Sequence, residues 1–518
     1  MKNSLLIHND NVPFKSKFTE TIAFKPTSVD IDEYITHDII PQIKKLNPQI
    51  IYIKDNLSSN YLELYGLRLV YHIRLSQELG DKRLLPIVLL SDLDSFLLNR
   101  LSSMGRVLFT KNIFIAKNSI ESVKRFDSLE IQSFKEELYQ DEFLNLIEVK
   151  PPKDYLSHHD ISNEWAIYRW AKFLKVDSEA ISKNRGKIAS MLYFKYLLAK
   201  NPIKIEKKNG IQFVPRPPEK SGKVLYIDDE WAKGWSDILK QYFSKNQNIE
   251  FKTFEYDFKN NNKYTTMSAI KNSCNEYAPD VVLLDLRFTQ SDHEKQKIEN
   301  LTGIKITQMI KEINPAIQII MLTATGKSTI LENLYKHGIL GYIKKEHPND
   351  VNISTKDNFD KLKNLVDKGL DKKYLKEVWK IQQTITPFSS DIKIEIDSIF
   401  EILNSDMQNR FIYAMFAIFK CIEIVNDYYI IDGYKKATWK DTQEEFLDNS
   451  TKNKICMILD KKLNFKNRDE VIYQNIEEII KIRNNTIHPK KERVEEITQK
   501  HILTWFKMLQ IILEKIEK

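Results

Sequence analysis

The stretch VVLLDLRF, residues 281–288, narrows the choice of fold more than any other in this chain. Four apolar residues lead into Asp285, the pattern of a strand buried on both faces that carries one carboxylate to the carboxyl edge of a parallel sheet. That edge is where open α/β sheets hold their chemistry. Upstream, KVLYIDDE ends a second apolar run in Asp228 and Asp229, so two strand ends would gather three carboxylates. Such a cluster repels itself unless a cation neutralises it, and hard oxygen ligands with room for water suit Mg²⁺.

Two further strand ends extend the pattern. IQIIMLTATG places Thr323 after an apolar strand, and HGILGYIKKE places Lys345 three residues after Tyr342. The acidic pair, the central Asp, the LTA threonine and the GY-x-x-K lysine, in this order and at strand ends, resemble the receiver domain of response regulators over about residues 222–350. The resemblance implies a doubly wound, flavodoxin-like α/β fold in which Asp285 is the phosphoryl acceptor. It further implies Mg²⁺ held by Asp285, Asp229 and the backbone carbonyl of Arg287, with Asp228 steadying the metal through water. Lys345 would pair with a phosphoryl oxygen, Thr323 would hydrogen-bond to another, and Tyr342 would move with it. A sensor histidine kinase or another phosphodonor is the implied partner. Against this stands a receiver fold with a vestigial pocket. Two departures from the family pattern are visible: a long polar connection between Asp285 and Gly303, expected to be solvent-exposed, and Glu346 where proline usually follows the lysine.

At 518 residues the chain exceeds one ordinary core, and the usual domain size suggests roughly three or four units. No apolar run approaches the roughly 20 residues that span a bilayer, and the opening MKNSLLIHNDNVPFK is not expected to be a signal peptide. Cys274, Cys421 and Cys456 are scattered without a C-x-x-C pair, which argues for a reducing, cytoplasmic setting and against a disulfide framework. A net charge of +8 tolerates an anionic partner such as RNA, although solvated lysine-rich faces explain it as well.

Residues 1–150 repeat the order of the central unit. NPQIIYIKDN, Gly66 in LYGLRLVYHIR and LLPIVLLSD parallel APDVVLLDLR, Gly303 in LTGIKITQMIK and NPAIQIIMLTA. This internal duplication predicts a second receiver-like fold. In it Lys54 stands where Asp285 stands and Ser91 where Thr323 stands, while the first strand ends in His8, Asn9 and Asp10. A lysine amine cannot accept phosphoryl by the same route and repels Mg²⁺, so the unit reads as a degenerate receiver. Asp55 as a displaced acceptor is disfavoured because a shift of one residue turns a strand side chain to the other face.

Residues 151–213 predict a helical connector. Ile161, Trp165 and Tyr168 fall on one helix face. His158 and His159 read as a packed or solvated pair more readily than as metal ligands, and Trp165, Tyr168 and Trp170 as an interdomain surface more readily than a nucleobase platform. FVPRPPEKSG is a proline-stiffened linker.

From 355 to 518 strands give way to helical periodicity alone, predicting an all-α bundle. Within it, KIRNNTIHPKK carries Arg483, Asn484 and His488. Asn484 and His488 are one helical turn apart, and Pro489 puts the histidine at a helix end. An arginine to hold a phosphodiester and a histidine that titrates near neutrality suffice for metal-independent RNA cleavage. The string resembles the R-polar-x-x-x-H motif of the HEPN superfamily, which implies dimerisation and, by analogy, Glu423 as a supporting acid. A helix-end capping and ion-pair role for Arg483 and His488 is the competing reading. The expectation for the whole chain is a cytoplasmic, response-regulator-type protein whose helical domain is either a ribonuclease in stress or phage defence or a non-catalytic adaptor and dimerisation module. No recognition helix for DNA stands out after residue 350.

Overall fold

The computed structural model describes residues 3–516 apart from 11, 27–29, 61–62, 128–131, 134, 153–157, 203–206, 209–210, 213, 290–291, 293–296, 325–327, 350–353, 432–454, 457, 461–462, 464–469 and 488–495. Its first sheet is built from β1 (Ser4–His8), β2 (Glu20–Ala23), β3 (Ile50–Lys54), β4 (Ile87–Leu90) and β5 (Ile113–Ala116), in the order β2-β1-β3-β4-β5. After a short ladder of β6 (Lys207–Lys208) and β7 (Ile211–Gln212), a second sheet follows. It contains β8 (Gly222–Ile227), β9 (Ile249–Thr253), β10 (Val281–Leu284), β11 (Gln318–Thr323) and β12 (Gly341–Lys344), ordered β12-β11-β10-β8-β9. Both sheets are wholly parallel and share one topology. The duplication expected from the repeated strand–glycine–strand order is therefore present in the backbone.

The two glycines explain why the repeat is spelled as it is. Gly66 opens the helix Tyr65–Leu75 with its amide on the Asp55 carbonyl, and a side chain there would collide with the backbone of Lys54 and Asp55. Gly303, near the start of the helix Thr302–Ile313, packs in the same way against Asp285 and Leu286. Only a residue without Cβ lets the helix start this close to the strand end.

Side-chain parity along the strands then decides what reaches each face. In the second sheet, Val224, Tyr226, Val281, Leu283, Ile320, Leu322 and Ile343 pack on one side. Their partners there are the helices Trp235–Phe243 and Thr355–Asp371. Leu225, Ile227, Val282, Leu284, Ile319 and Met321 pack on the other side, against Lys263–Tyr277 and Thr302–Ile313.

Helix Thr355–Asp371 corrects the boundary drawn from periodicity, which gave everything from 355 onward to the helical bundle. Phe359, Leu362, Val366 and Leu370 bury their faces on the second sheet and close its core. Periodicity shows that a helix has an apolar stripe, not which surface covers it. The bundle proper contains Leu375–Thr384, Ser390–Asn404, Arg410–Ile431, Glu470–Ile487 and Gln499–Ile516, joined in one core by Ile399, Ile418, Ile479 and Trp505.

The connector consists of α-helices His158–Leu174, Glu179–Ser190 and Leu192–Lys200. Ile161 and Trp165 belong to the core of the first sheet, whereas Ala166, Ile167, Trp170 and Leu174 belong to that of the second. One helix is thus shared by two domain cores. Helix His158–Leu174 begins at the two adjacent histidines, but their side chains lie outside the described residues. Among the described residues no helix is long and apolar enough to cross a membrane.

Candidate functional site

The carboxyl edge of the second sheet gathers Asp228, Asp229, Asp285 and Lys345. Asp228 and Asp229 follow β8, Asp285 follows β10, and Lys345 follows β12. Carboxylate oxygens of the three acids lie within 4.8 Å of one another. Asp228 is wholly buried; its Oδ2 accepts from the Tyr226 hydroxyl at 2.8 Å and from Lys345 Nζ at 3.0 Å, and its Oδ1 accepts from the Glu230 amide at 2.7 Å. Lys345 Nζ also stands 3.7 Å from Asp285 Oδ1 and 5.3 Å from the Trp235 ring centroid. The Asp285 Oδ2 accepts from the Arg287 amide at 3.3 Å.

The electrostatics follow from burial. Burial, then the charges of Asp228 and Asp285, push the Asp229 carboxyl up to about 9, and burial likewise raises Asp228. Burial opposes the charge on Lys345, but the carboxylates of Asp228, Asp285 and Glu230 outweigh it and hold the ammonium above the ordinary lysine range. One cation therefore faces three crowded carboxylates. Asp229 Oδ1 is buried without a hydrogen-bond partner. A hard divalent cation fits this donor set: it would neutralise the surplus charge and use the orphaned oxygen.

Thr323 is buried at the end of β11, and its carbonyl accepts the Lys345 amide at 2.7 Å. Thr323 follows the strand parity of Ile319 and Met321, so it leaves the sheet on the face opposite Asp285. Tyr342 is half-buried on that same face, with its ring 6.2 Å from that of Tyr335 and 4.0 Å from Lys361 Nζ.

The polar connection after Asp285 departs from expectation. Asp292 is buried, with 2% of its surface exposed. Its Oδ2 accepts the amides of Phe288 at 2.9 Å and Thr289 at 3.1 Å, and its Oδ1 accepts the amide and hydroxyl of Thr302, each at 3.1 Å. Asp292 thus ties Phe288 and Thr289 to the start of the helix at Thr302, where the sequence led one to expect a solvent-exposed residue. A second residue missed by sequence reading is Glu346. It is 1% exposed and is held by Arg169 at 3.0 Å, Trp170 at 3.2 Å, Thr355 at 3.1 Å and Asn358 at 3.3 Å. An acid in place of the usual proline was its signal.

The equivalent edge of the first sheet cannot hold such a cluster. Lys54 leaves β3 on the side of Tyr52, and Asp55 turns to the side of Ile51 and Ile53, as strand parity requires. There the Ser91 hydroxyl donates to Asp55 Oδ2 at 2.5 Å, and Lys54 Nζ lies 3.6 Å from Asp55 Oδ1. Asp10 is engaged by Lys15 at 3.0 Å and Lys25 at 3.1 Å.

In the helical bundle, Arg483 and Glu423 line one cleft of about 610 Å³ together with Glu395, Tyr413, Phe419 and Lys420. The Arg483 guanidinium lies 5.0 Å from the Phe419 ring centroid, donates to Asn484 Oδ1 at 3.1 Å, and keeps its Nε buried without a hydrogen-bond partner. His488 lies outside the described residues.

Comparison with known proteins agrees with this geometry. Residues 4–116 match the family model described as an inactive receiver domain, and residues 251–354 match the one described as a response regulator receiver domain. No curated protein matches the chain. Solved structures with similarity include a two-component response regulator of the LuxR family from Aurantimonas sp. SI85-9A1, at 17% identity over 25% of this chain and 79% of that one, with TM-score 0.19. NtrX from Brucella abortus shows 17% identity over 35% of this chain and 34% of its own, with TM-score 0.22. The signal receiver domain of a putative Luxo repressor from Vibrio parahaemolyticus shows 18% identity over 30% and 96%, with TM-score 0.21. The chain thus holds two stretches that match receiver-type family models, the first that of an inactive receiver and the second that of a response regulator receiver.

Proposed function

We propose that the chain is a response-regulator-type protein, phosphorylated on Asp285, that controls its C-terminal helical domain. The observation that carries this reading is the trio of crowded carboxylates facing Lys345, with Asp229 Oδ1 buried and unpartnered. Asp285 attacks the phosphorus of a histidine kinase's phosphohistidine or of a small phosphodonor. The Oδ–P bond forms, the bond to the donor's leaving nitrogen or oxygen breaks, and water returns a proton to the leaving group. Asp285, Asp229 and the Arg287 carbonyl would hold Mg²⁺, with Asp228 steadying it through water, and the ion would supply neutralisation of charge on the phosphoryl oxygens. Lys345 pairs with one such oxygen, and Thr323 and Tyr342 respond to another.

The output is proposed to be a HEPN-type ribonuclease that works without metal, as a homodimer and on RNA, with Arg483, Asn484 and His488 at its centre. Arg483 and Glu423 lining one cleft favour this reading. Arg483 holds a backbone phosphate, and His488 exchanges the proton of the 2′-hydroxyl attack. The second reading, a phosphorylation-gated adaptor, draws on the exposed apolar side chains Tyr413 and Ile394 of the same bundle.

Cleavage of total RNA by the full chain in EDTA, compared between wild type, Arg483→Ala and His488→Ala, separates the two. Loss of cleavage in both variants supports the ribonuclease. Absence of cleavage by wild type, also in a parallel sample with Mg²⁺ and a small phosphodonor, leaves the adaptor.

A further inference from the structure

The family's switch tyrosine Tyr342 packs on one face of the second sheet, whereas Asp228 and Lys345 reach Tyr226 and Trp235, which pack on the other. That other face is not free. Helices Trp235–Phe243 and Thr355–Asp371 cover it, and helix His158–Leu174 of the connector packs across both through Trp170 against Trp235 and Phe359, reaching the residues at both ends of the pocket. At the acidic end, Asn163 donates to Glu230, the neighbour of Asp229, and its Oδ1 accepts from Trp235 Nε1 at 2.6 Å. At the lysine end, Arg169 and Trp170 hold Glu346, the neighbour of Lys345. Trp235 closes the circuit: its ring meets Lys345 Nζ on one side and the Trp170 ring, at 5.3 Å and 77°, on the other.

The same helix is fixed to the first domain. Ile161 and Trp165 sit in the core of the first sheet. The connector's last helix is tied there too: the Leu192 amide donates to Asp32 at 2.8 Å, and Lys195 donates to Thr36 at 2.9 Å and Ser76 at 3.1 Å. Packing beside the pocket is tight. Gly234 has φ +119°, and a Cβ there would press on Ile181 of the connector.

We propose that helix His158–Leu174 is the receiver's built-in reader, with Asn163 and Arg169 as positioning residues that couple the phosphoryl state of Asp285 to the inactive receiver domain. The inference rests on Asp285 being the acceptor. Phosphorylation replaces the single negative charge of the Asp285 carboxylate with about two, roughly one added negative charge near Glu230, and draws Lys345 off Asp228. A shift of the Lys345 backbone toward the phosphoryl group carries Glu346 with it against Trp170 and Arg169, and the grip on the helix loosens. By linkage, loosening the helix favours phosphorylation by the same factor. The inactive receiver is then an intramolecular partner through which binding elsewhere feeds back on Asp285.

The test is hydrogen exchange of the full chain with and without acetyl phosphate and Mg²⁺, with intact mass read from the same samples. Phosphoryl uptake should come with about tenfold faster exchange in peptides from 158–174. In folded Arg169→Met the phosphoryl occupancy at equilibrium should rise by about the same factor, while Arg169→Lys, which keeps the charge, stays within about twofold of wild type. Asn163→Leu serves if Arg169→Met does not fold. Uptake with unchanged exchange in 158–174 overturns the reader and spares the phosphorylation reading. Absence of uptake overturns that reading and the reader with it.

Discussion

Asp292→Ala tests how the long connection after Asp285 is held. The substitution removes the acceptor of three backbone amides, those of Phe288, Thr289 and Thr302, and of the Thr302 hydroxyl. The lost acceptor at the first amide of helix Thr302–Ile313 resembles the loss of an N-cap, about 1 kcal/mol. The buried Phe288 amide, left unpaired, adds about 1–2 kcal/mol, and the half-buried Thr289 amide adds less because water reaches it. Together the receiver should lose about 3 kcal/mol, and Asp292→Asn, which keeps one acceptor oxygen, about half of that. The assay is urea unfolding followed by tryptophan fluorescence, paired with hydrogen exchange of peptides spanning 286–304. Protection of the Phe288 and Thr302 amides should fall in Asp292→Ala before global unfolding. A cost below about 1 kcal/mol with undiminished protection there would refute the argument that this carboxylate organises the loop.

Three other outcomes follow from the same structure. Lys345→Met leaves Asp228 and Asp285 buried without their cation and should destabilise the receiver by about 3 kcal/mol in EDTA, with Mg²⁺ restoring much of the loss in urea titrations. At the first domain, burial lowers the wholly buried His72 from 6.5 to about 4, outweighing the hydrogen bond and charge of Asp32 at 2.7 Å, with the charges of Lys195 and then Arg68 adding to the lowering. Its contribution is fully present above the unfolded value and is lost as pH falls from about 6.5 to 4, where the unfolded chain binds a proton that the folded chain refuses. That window should cost about 3 kcal/mol in denaturation curves, and His72→Gln should flatten it. Gly234→Ala should cost about 2 kcal/mol through its positive φ and its contact with Ile181, measured as a shift in thermal midpoint; an unchanged midpoint would mean the connector packs less closely there.

The strand ends were legible because each apolar run stops at a residue whose polarity has no place inside a core: Asp228, Asp285, Lys345. The duplication was legible through Gly66 and Gly303, where backbone contact admits no side chain. Parity along β3 also argued against Asp55 as an acceptor, and in the structure its carboxylate accepts from the Ser91 hydroxyl. What sequence reading missed was partner choice. Helix 355–371 has an amphipathic pattern that serves a sheet as well as a bundle, and only packing assigns it to the receiver. The connection that holds Asp292 read as solvated, and Glu346 read only as a departure from the family's proline, because their partners are backbone amides and residues distant in sequence, which local pattern does not encode. For the same reason nothing in WAIYRW announced that Trp165 and Trp170, five positions apart, enter different cores.

The proposed function requires that one of the two like-folded sheets carry the phosphoryl acceptor and that the other carry none. The direct measurement is borohydride trapping and peptide mapping of the full chain after incubation with acetyl phosphate and Mg²⁺. The account predicts modification in the peptide containing Asp285, abolished in Asp285→Asn, and none in the peptide containing Lys54 and Asp55. Modification at Asp55, or no modification at Asp285 in folded protein, would contradict it.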